Sequence, residues 1–247
     1  MCGMSRRLLI PVVAVAALLV LGGGAVYAYF FSGLRTTPPA LALASPSPAS
    51  ATSSPSPATS TAGTTTWTVG SGSLAGYRVK EQFVGQSSPH EAVARTSAVS
   101  GQVSITQSGA DYQLTAATIS VRLSGLASVD SVAGYNVTNR DRIVQQALAV
   151  SSFPAAVFVA DGGVTLPAGA ASGQAVTVSV PGKLTIHGVT KQVTAVLQLR
   201  VSGGSAQVAG TIATNMTDFG VDPPSIGFTT VQPAVTIEVS LNLTRSA

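Results

Sequence analysis

The chain has 247 residues, of which 45% are hydrophobic and only 9% are charged, and its formal net charge is +4. Arg6, Arg7 and Arg35 account for three of the positive charges, so the rest of the chain is close to neutral. This balance gives no reason to expect a nucleic-acid partner, and Cys2 as the only cysteine excludes a disulfide-stabilised fold.

An uncharged, mostly apolar stretch lies near the start of the chain. Residues 8–31 are long enough to cross a bilayer core of about 30 Å. Arg6 and Arg7 precede this stretch, which predicts that residues 1–7 stay in the cytoplasm and that the rest of the chain lies outside the cell membrane. A signal peptide cleaved near Ala28 is the alternative, but the apolar part of such signals is shorter. We therefore predict a retained transmembrane anchor.

Residues 32–65 are rich in Pro, Ser, Thr and Ala, and no charge occurs between Thr36 and Thr66. A segment of this composition cannot bury a core, so it is predicted to be a disordered linker. As a flexible coil it would span roughly 30 Å. Such a tether holds the following domain away from the membrane without fixing its orientation.

Residues 66–247 are predicted to form one domain of short strands. Apolar and polar residues alternate with the period of two that is typical of a half-buried strand. The segments are 77–83, 99–105, 114–123, 176–186, 189–201, 208–212 and 235–243. The phase changes near Ala116 and Ala117, which indicates a bulge. A helix is predicted over about residues 140–150, with Pro154 after its end.

The clearest of these patterns is the hairpin over residues 176–201. It turns at His187 and Gly188, as a tight primed turn requires, so Ile186 and Val189 point the same way. A sheet with one apolar face must cover that face. Closure into a barrel or packing into a sandwich would do so.

Enzyme chemistry finds little support in the sequence. His90 lies after Pro89 in a polar loop and His187 lies in a tight turn, so neither is positioned for a triad or a zinc site. No glycine-rich phosphate loop precedes a helix. Asp218 and Asp222 fall in a segment typical of a turn. We expect no catalytic residues, no metal and no cofactor.

Four motifs occur in order along the predicted domain. They are Trp67-Thr68-Val69, then Arg140-Asp141 followed by Phe153-Pro154 and Phe158, then residues 182–194, and then Asp218-Phe219-Gly220. Together they resemble the opening "W-x-V-D", the "R-D … F/Y-P-x-x-x-F" stretch, the "G-x-L-T-I-x-G-V-T-K-x-V-T" hairpin and the "D-F-G" segment of the YceI-like family. The sequence departs from the pattern in having Gly70 in place of the Asp and in lacking a His shortly after Arg-Asp.

The resemblance implies an all-β, antiparallel, lipocalin-like barrel of about eight strands with one short helix, enclosing an apolar pore that holds an isoprenoid or similar lipid, such as a quinone. A barrel of this size either fills its interior or holds one small ligand. Gly101, Gly182, Ala195 and Gly210 are small residues on the inward phase, and they would leave room for a chain. The alternative is that large neighbours fill these gaps.

The residues expected to line the pore are Val79, Phe83, Val103, Phe158, Leu184, Ile186, Ala195, Leu197, Gly210, Ile212, Phe219 and Phe228. Glu81 and Lys191 are charged residues on the apolar phase, and a buried charge must be paired or near water. One interpretation is structural: strand twist near the turn places Lys191 in solvent, and Glu81 forms an ion pair with Arg140 or Arg95. The other is functional: Glu81, Arg140 and Lys191 contact a lipid headgroup at the pore mouth.

The sequence thus predicts a membrane-anchored, extracytoplasmic protein that binds a long-chain isoprenoid or similar lipid for carriage, storage or sensing. The alternative is a structural or adhesive surface domain with a filled core and no ligand.

Overall fold

The computed structural model describes residues 35–44, 63–85, 88–132, 137–227 and 229–246. Within these ranges no helix is long and apolar enough to cross a membrane. The transmembrane segment predicted for residues 8–31 and the predicted pore residue Phe228 lie outside the described residues.

The described residues form strands, one α-helix and short 3-10 turns. The strands are β1 (Arg35–Thr36), β2 (Gly63–Val69), β3 (Leu74–Phe83), β4 (His90–Thr96), β5 (Val99–Ser108), β6 (Asp111–Arg122), β7 (Ala127–Ser128), β8 (Ser131–Val132), β9 (Ala155–Ala160), β10 (Val164–Thr165), β11 (Val176–Ile186), β12 (Val189–Ser202), β13 (Ser205–Asn215), β14 (Ser225–Ile226) and β15 (Thr229–Arg245). The helix is α1 (Val137–Ala147), and the 3-10 turns are Leu123–Gly125, Ala168–Ser172 and Met216–Phe219.

Eight strands close into a ring. Its order is β15, β13, β12, β11, β9, β6, β5, β2 and β15 again, and each of these pairs is antiparallel. The long strand β15 pairs along one edge with β13 and along the other with β3 and then β2, while β4 pairs with the outer edge of β3. The predicted all-β antiparallel barrel of about eight strands is confirmed.

The hairpin of β11 and β12 has the predicted register. Ile186 faces Val189, and both turn residues are left-handed, with φ of 52° at His187 and 75° at Gly188. The bulge is also present: Ser104 pairs with Ala116 but Ile105 pairs with Leu114, which leaves Thr115 as the extra residue. Alternation therefore located the strands and the break within them.

Helix α1 begins and ends three residues earlier than predicted. Ala149, with φ of 45°, takes the left-handed position after the helix. The amides of Ala149 and Val150 donate to the carbonyls of Gln146 and Gln145, which is the Schellman arrangement. Because this position usually carries Gly, an Ala there gives no stop signal in the sequence.

The predicted linker is not a uniform tether. Residues 35–44 lie along the outside of the barrel: Arg35 and Thr36 pair with Val132 and Ser131, and the Thr37 hydroxyl donates to the Glu91 carbonyl at 3.2 Å. The composition of the segment does not reveal this, because it has no apolar periodicity. Hydrogen bonds to the barrel hold it in place. Strand β2 also begins at Gly63, three residues before the predicted domain start.

Candidate functional site

The inward faces of the barrel strands and one face of α1 enclose a cavity of about 830 Å³. This volume falls in the range of small-molecule sites, which are mostly apolar with a few placed polar groups. Its wall is contributed by strands from the whole ring, so the cavity runs through the interior of the domain. The interior is therefore not filled by side chains.

Most of the predicted pore residues lie on this wall. They are Val79, Phe83, Val103, Phe158, Leu184, Ile186, Ala195, Leu197, Ile212 and Phe219, joined by the charged residues Glu81 and Arg140. Gly210 and Lys191 are not among the wall residues. Whether the wall residues contact a lipid stays a prediction.

The reasoning from small inward residues was wrong for the glycines. A Cβ at Gly182 would lie 2.5 Å from the Val159 carbonyl oxygen and 2.6 Å from Phe158 Cζ, and one at Gly210 would lie 2.1 Å from the Val196 carbonyl oxygen. These glycines allow close approach of a neighbouring strand or ring. Gly101 is equally tight, against the Thr118 carbonyl oxygen at 2.2 Å. Ala195 alone of the four borders the cavity.

Lys191 is exposed although its position follows the apolar phase. It pairs with Leu184 near the end of the hairpin, and its side chain is open to water, which is one of the two predicted alternatives. Lys191 is not among the residues that line the cavity, and its contact with a lipid headgroup stays a prediction.

Glu81 and Arg140 are charged residues that lie together on the cavity wall. Glu81 is 4% exposed and accepts a hydrogen bond from Arg140 Nη1 at 3.1 Å. Burial raises the pKa of Glu81, and the positive charge of Arg140 only partly opposes that rise. The predicted pairing of Glu81 with Arg140 is thus present, whereas Arg95 pairs with Glu238.

Asp130 holds Arg140 in place from behind the cavity wall. Arg140 Nη2 donates to one oxygen of the buried Asp130 carboxylate, and the Val93 amide donates to the same oxygen at 3.0 Å. His90 Nε2 lies 2.7 Å from the other oxygen. Burial works to raise the pKa of Asp130, but the hydrogen bonds from His90, Val93 and Arg140 outweigh it and lower the pKa.

His187 lies in the tight turn predicted for it, but His90 does not match its prediction. His90 begins β4 and is buried, so it does not lie in a polar loop as predicted. His187 Nδ1 lies 3.2 Å from the Phe219 carbonyl oxygen, and its ring packs edge-on against Phe153 at 5.1 Å. Asp218 lies in a 3-10 turn that ends at the left-handed Gly220, which confirms the predicted turn. Within the described ranges no three His, Cys, Asp or Glu side chains converge on a metal site.

Sequence reasoning missed several wall residues. Tyr77 shares the inward phase of Val79 and could have been found by alternation; burial raises its pKa, so its hydroxyl stays protonated and can donate. Ile143 and Val144 reach the cavity from α1. Asp130 lies between two very short strands, where no periodic signal exists.

Comparison with known proteins identifies a family over the part of the chain that forms the barrel. The family model of the YceI-like domain matches residues 67–243. No curated protein matches the sequence. The family assignment therefore depends on the match of the family model to the barrel domain.

Two solved structures illustrate the likeness. A polyisoprenoid binding domain from Saccharophagus degradans, implicated in plant cell wall breakdown, is 14% identical, and the match covers 73% of this chain and 98% of that one with a TM-score of 0.51. BcnA from Burkholderia cenocepacia is 19% identical, with 67% and 95% coverage and a TM-score of 0.45. Because the Saccharophagus degradans domain is only 14% identical to this chain, its similarity is evidence for the fold alone.

Proposed function

Because the chain belongs to the YceI-like family, we propose that its barrel binds a long-chain isoprenoid or similar lipid, for carriage, storage or sensing. The observation that carries the proposal is the apolar cavity of about 830 Å³ through the interior. An apolar chain gains about 0.8 kcal/mol for each buried CH₂, so such a cavity favours a long hydrocarbon. The polyisoprenoid binding domain from Saccharophagus degradans shares this fold.

Glu81 and Arg140 would give the ligand a direction. They lie together on the wall, and the Tyr77 hydroxyl stays protonated as a donor near them. A polar headgroup would lie beside these residues with the chain extending into the apolar interior. These residues would set the orientation and the headgroup preference, since the apolar area supplies most of the affinity.

We also propose that the protein is anchored in the cell membrane by residues 8–31, that the barrel lies outside the cytoplasm and that it is not an enzyme. Support for the anchor comes from the uncharged apolar sequence behind Arg6 and Arg7. Support for a binding role comes from the cavity wall, where the charged side chains of Glu81 and Arg140 are hydrogen-bonded to each other.

Mass spectrometry of lipid extracted from purified residues 35–247 tests the proposal. The delipidated protein should take up an isoprenoid quinone or polyprenyl lipid. At a free ligand concentration of about 100 times Kd, binding stabilises the fold by about 2.7 kcal/mol, which raises the melting temperature by about 5–10 °C.

A matched pair of variants shows whether the ligand occupies the interior. Ala195 borders the cavity and Val196, the next residue, faces outward and is 50% exposed. Ala195→Phe should abolish lipid uptake, and Val196→Phe should leave it unchanged. A folded, delipidated protein that takes up no lipid of any chain length would refute the proposal and favour a surface domain without a ligand.

A further inference from the structure

Two charged side chains on the outside of the barrel, Arg78 and Glu238, are buried. Arg78 lies between Tyr77 and Val79, and Glu238 lies between Ile237 and Val239; because all four of these neighbours line the cavity, both charged residues point outward. Glu238 is 0% exposed and Arg78 is 9% exposed. Charged side chains on an outer sheet face are normally solvated, so this face is covered.

Residues 35–44, the strap, cover it. Arg78 Nη2 donates to the Pro38 carbonyl oxygen at 2.6 Å, and Arg95 Nη2 donates to the Pro39 carbonyl oxygen at 2.6 Å. The Leu41 amide donates to Glu238 Oε2 at 3.1 Å. Arg78, Arg95 and Glu238 are therefore a cradle that contacts the strap backbone.

The cradle is assembled across three strands. Gly76 of β3 pairs with both Arg95 of β4 and Glu238 of β15, which brings these two side chains together. Each oxygen of Glu238 accepts one Nε–H, from Arg78 at 2.8 Å and from Arg95 at 2.7 Å. Although burial opposes it, these bonds lower the pKa of Glu238. The carboxylate thus stays charged and holds both guanidinium groups in position.

The cradle matches the strap by hydrogen-bonding pattern. Pro38 and Pro39 have no N–H and are held extended, so they present only carbonyl acceptors to the two arginines. Leu41, beyond the prolines, presents the N–H that Glu238 accepts. Hydrogen bonds at both ends of the strap extend the match: the Thr37 hydroxyl donates to the Glu91 carbonyl, and Arg200 Nη2 donates to the Ala44 carbonyl.

We propose that the cradle is a peptide-binding site for an extended segment with consecutive prolines, and that its occupant is the strap of the same chain. The cradle holds the strap by these contacts, without needing the covalent connection through residues 45–62. The barrel is thereby attached to the preceding chain at Arg35, and not at Gly63.

Cleavage of the connection tests this directly. The full chain, with an N-terminal affinity tag and a site-specific protease sequence inserted within residues 45–62, is purified in detergent and cut. The barrel fragment should remain on the affinity resin with the tagged fragment. Release of a folded barrel fragment on cleavage would overturn the proposal.

Matched variants assign the binding to the cradle. Arg95→Gln removes the bond to Pro39 and the bond to one oxygen of Glu238, while Arg78 stays paired with Glu238. It should speed release of the barrel fragment at least about tenfold. Arg122→Gln, an exposed arginine on β6, should not change it. Should Arg95→Gln fail to fold, Leu41→Pro removes the strap donor without touching the barrel, and it should also speed release.

The stoichiometry of the cleaved complex shows whether the strap binds the barrel of its own chain or that of a second copy. Native mass spectrometry should give one tagged fragment with one barrel fragment. An assembly of two and two would assign the strap to a second copy and overturn the intrachain occupant. None of these readouts depends on lipid.

Discussion

Asp130 and Glu81 both accept hydrogen bonds from the guanidinium of Arg140, yet substituting the two carboxylates should have different effects on stability. Asp130 is fully buried and accepts from Arg140, the Val93 amide and His90. Asp130→Asn removes the charge and at least one acceptor, and breaking a buried ion pair in this way costs about 3–5 kcal/mol at pH 7. Glu81→Gln should cost much less or even stabilise the fold, because burial disfavours the Glu81 charge that it removes.

The two variants should also respond to pH with opposite signs. The folded-state pKa of Glu81 is raised above 4.5, so wild-type stability from this group is present at low pH and falls as pH rises through the folded pKa. The folded-state pKa of Asp130 lies below 3.8, so its stabilisation is present at higher pH and is lost as pH falls through that pKa. From pH 4 to pH 7, Glu81→Gln should therefore gain stability relative to wild type.

Urea unfolding followed by circular dichroism at several pH values measures both effects. Asp130→Asn should show a deficit that is largest near neutral pH and shrinks in acid. Equal deficits for the two variants at pH 7, or a Glu81→Gln deficit that grows with pH, would refute the reasoning from burial and hydrogen bonding.

Three further predictions concern the hairpin, a tight glycine and the anchor. In urea unfolding, Leu197→Ala should lower the free energy of unfolding by less than the about 2–5 kcal/mol expected for a fully packed leucine, because Leu197 borders the cavity. Gln198→Ala, at an exposed position, should lower it by under about 0.5 kcal/mol, and a larger loss at Gln198 than at Leu197 would contradict the register. Gly182→Ala should cost about 1–3 kcal/mol by the same measurement, since its Cβ would meet Phe158 and a carbonyl oxygen, and a neutral result would contradict this contact. The full chain should resist carbonate extraction from membranes, and a soluble mature protein beginning near Tyr29 would show that residues 8–31 are a cleaved signal.

Alternation predicted the strands well because one face of each barrel strand meets the interior. It located Val79, Leu184 and Leu197 on the cavity wall, and it identified Glu81 as an inward charge that needs a partner. A period of two reports which face is inside. It does not report whether a small residue such as Gly210 leaves space or receives a neighbouring strand.

The features that sequence reasoning missed depend on contacts between distant segments. Asp130 joins His90 to Arg140, and nothing local marks it as a buried carboxylate. Glu238 sits on the polar phase of β15, where alternation predicts an exposed side chain. Its burial results from the strap, whose composition is typical of disorder.

The strap would shorten the connection between the barrel and the membrane in which residues 8–31 are proposed to lie. As a free coil the linker would allow a radius of roughly 30 Å and any tilt. With the strap docked, Phe31 at the end of the proposed anchor is four residue steps from Arg35, which reach at most about 14 Å. Arg35 pairs with Val132, which lines the cavity and lies two residues from Asp130. If residues 8–31 anchor the chain, so short a connection would hold the part of the barrel around Val132 close to the membrane surface, where a lipid leaving the bilayer would meet it first.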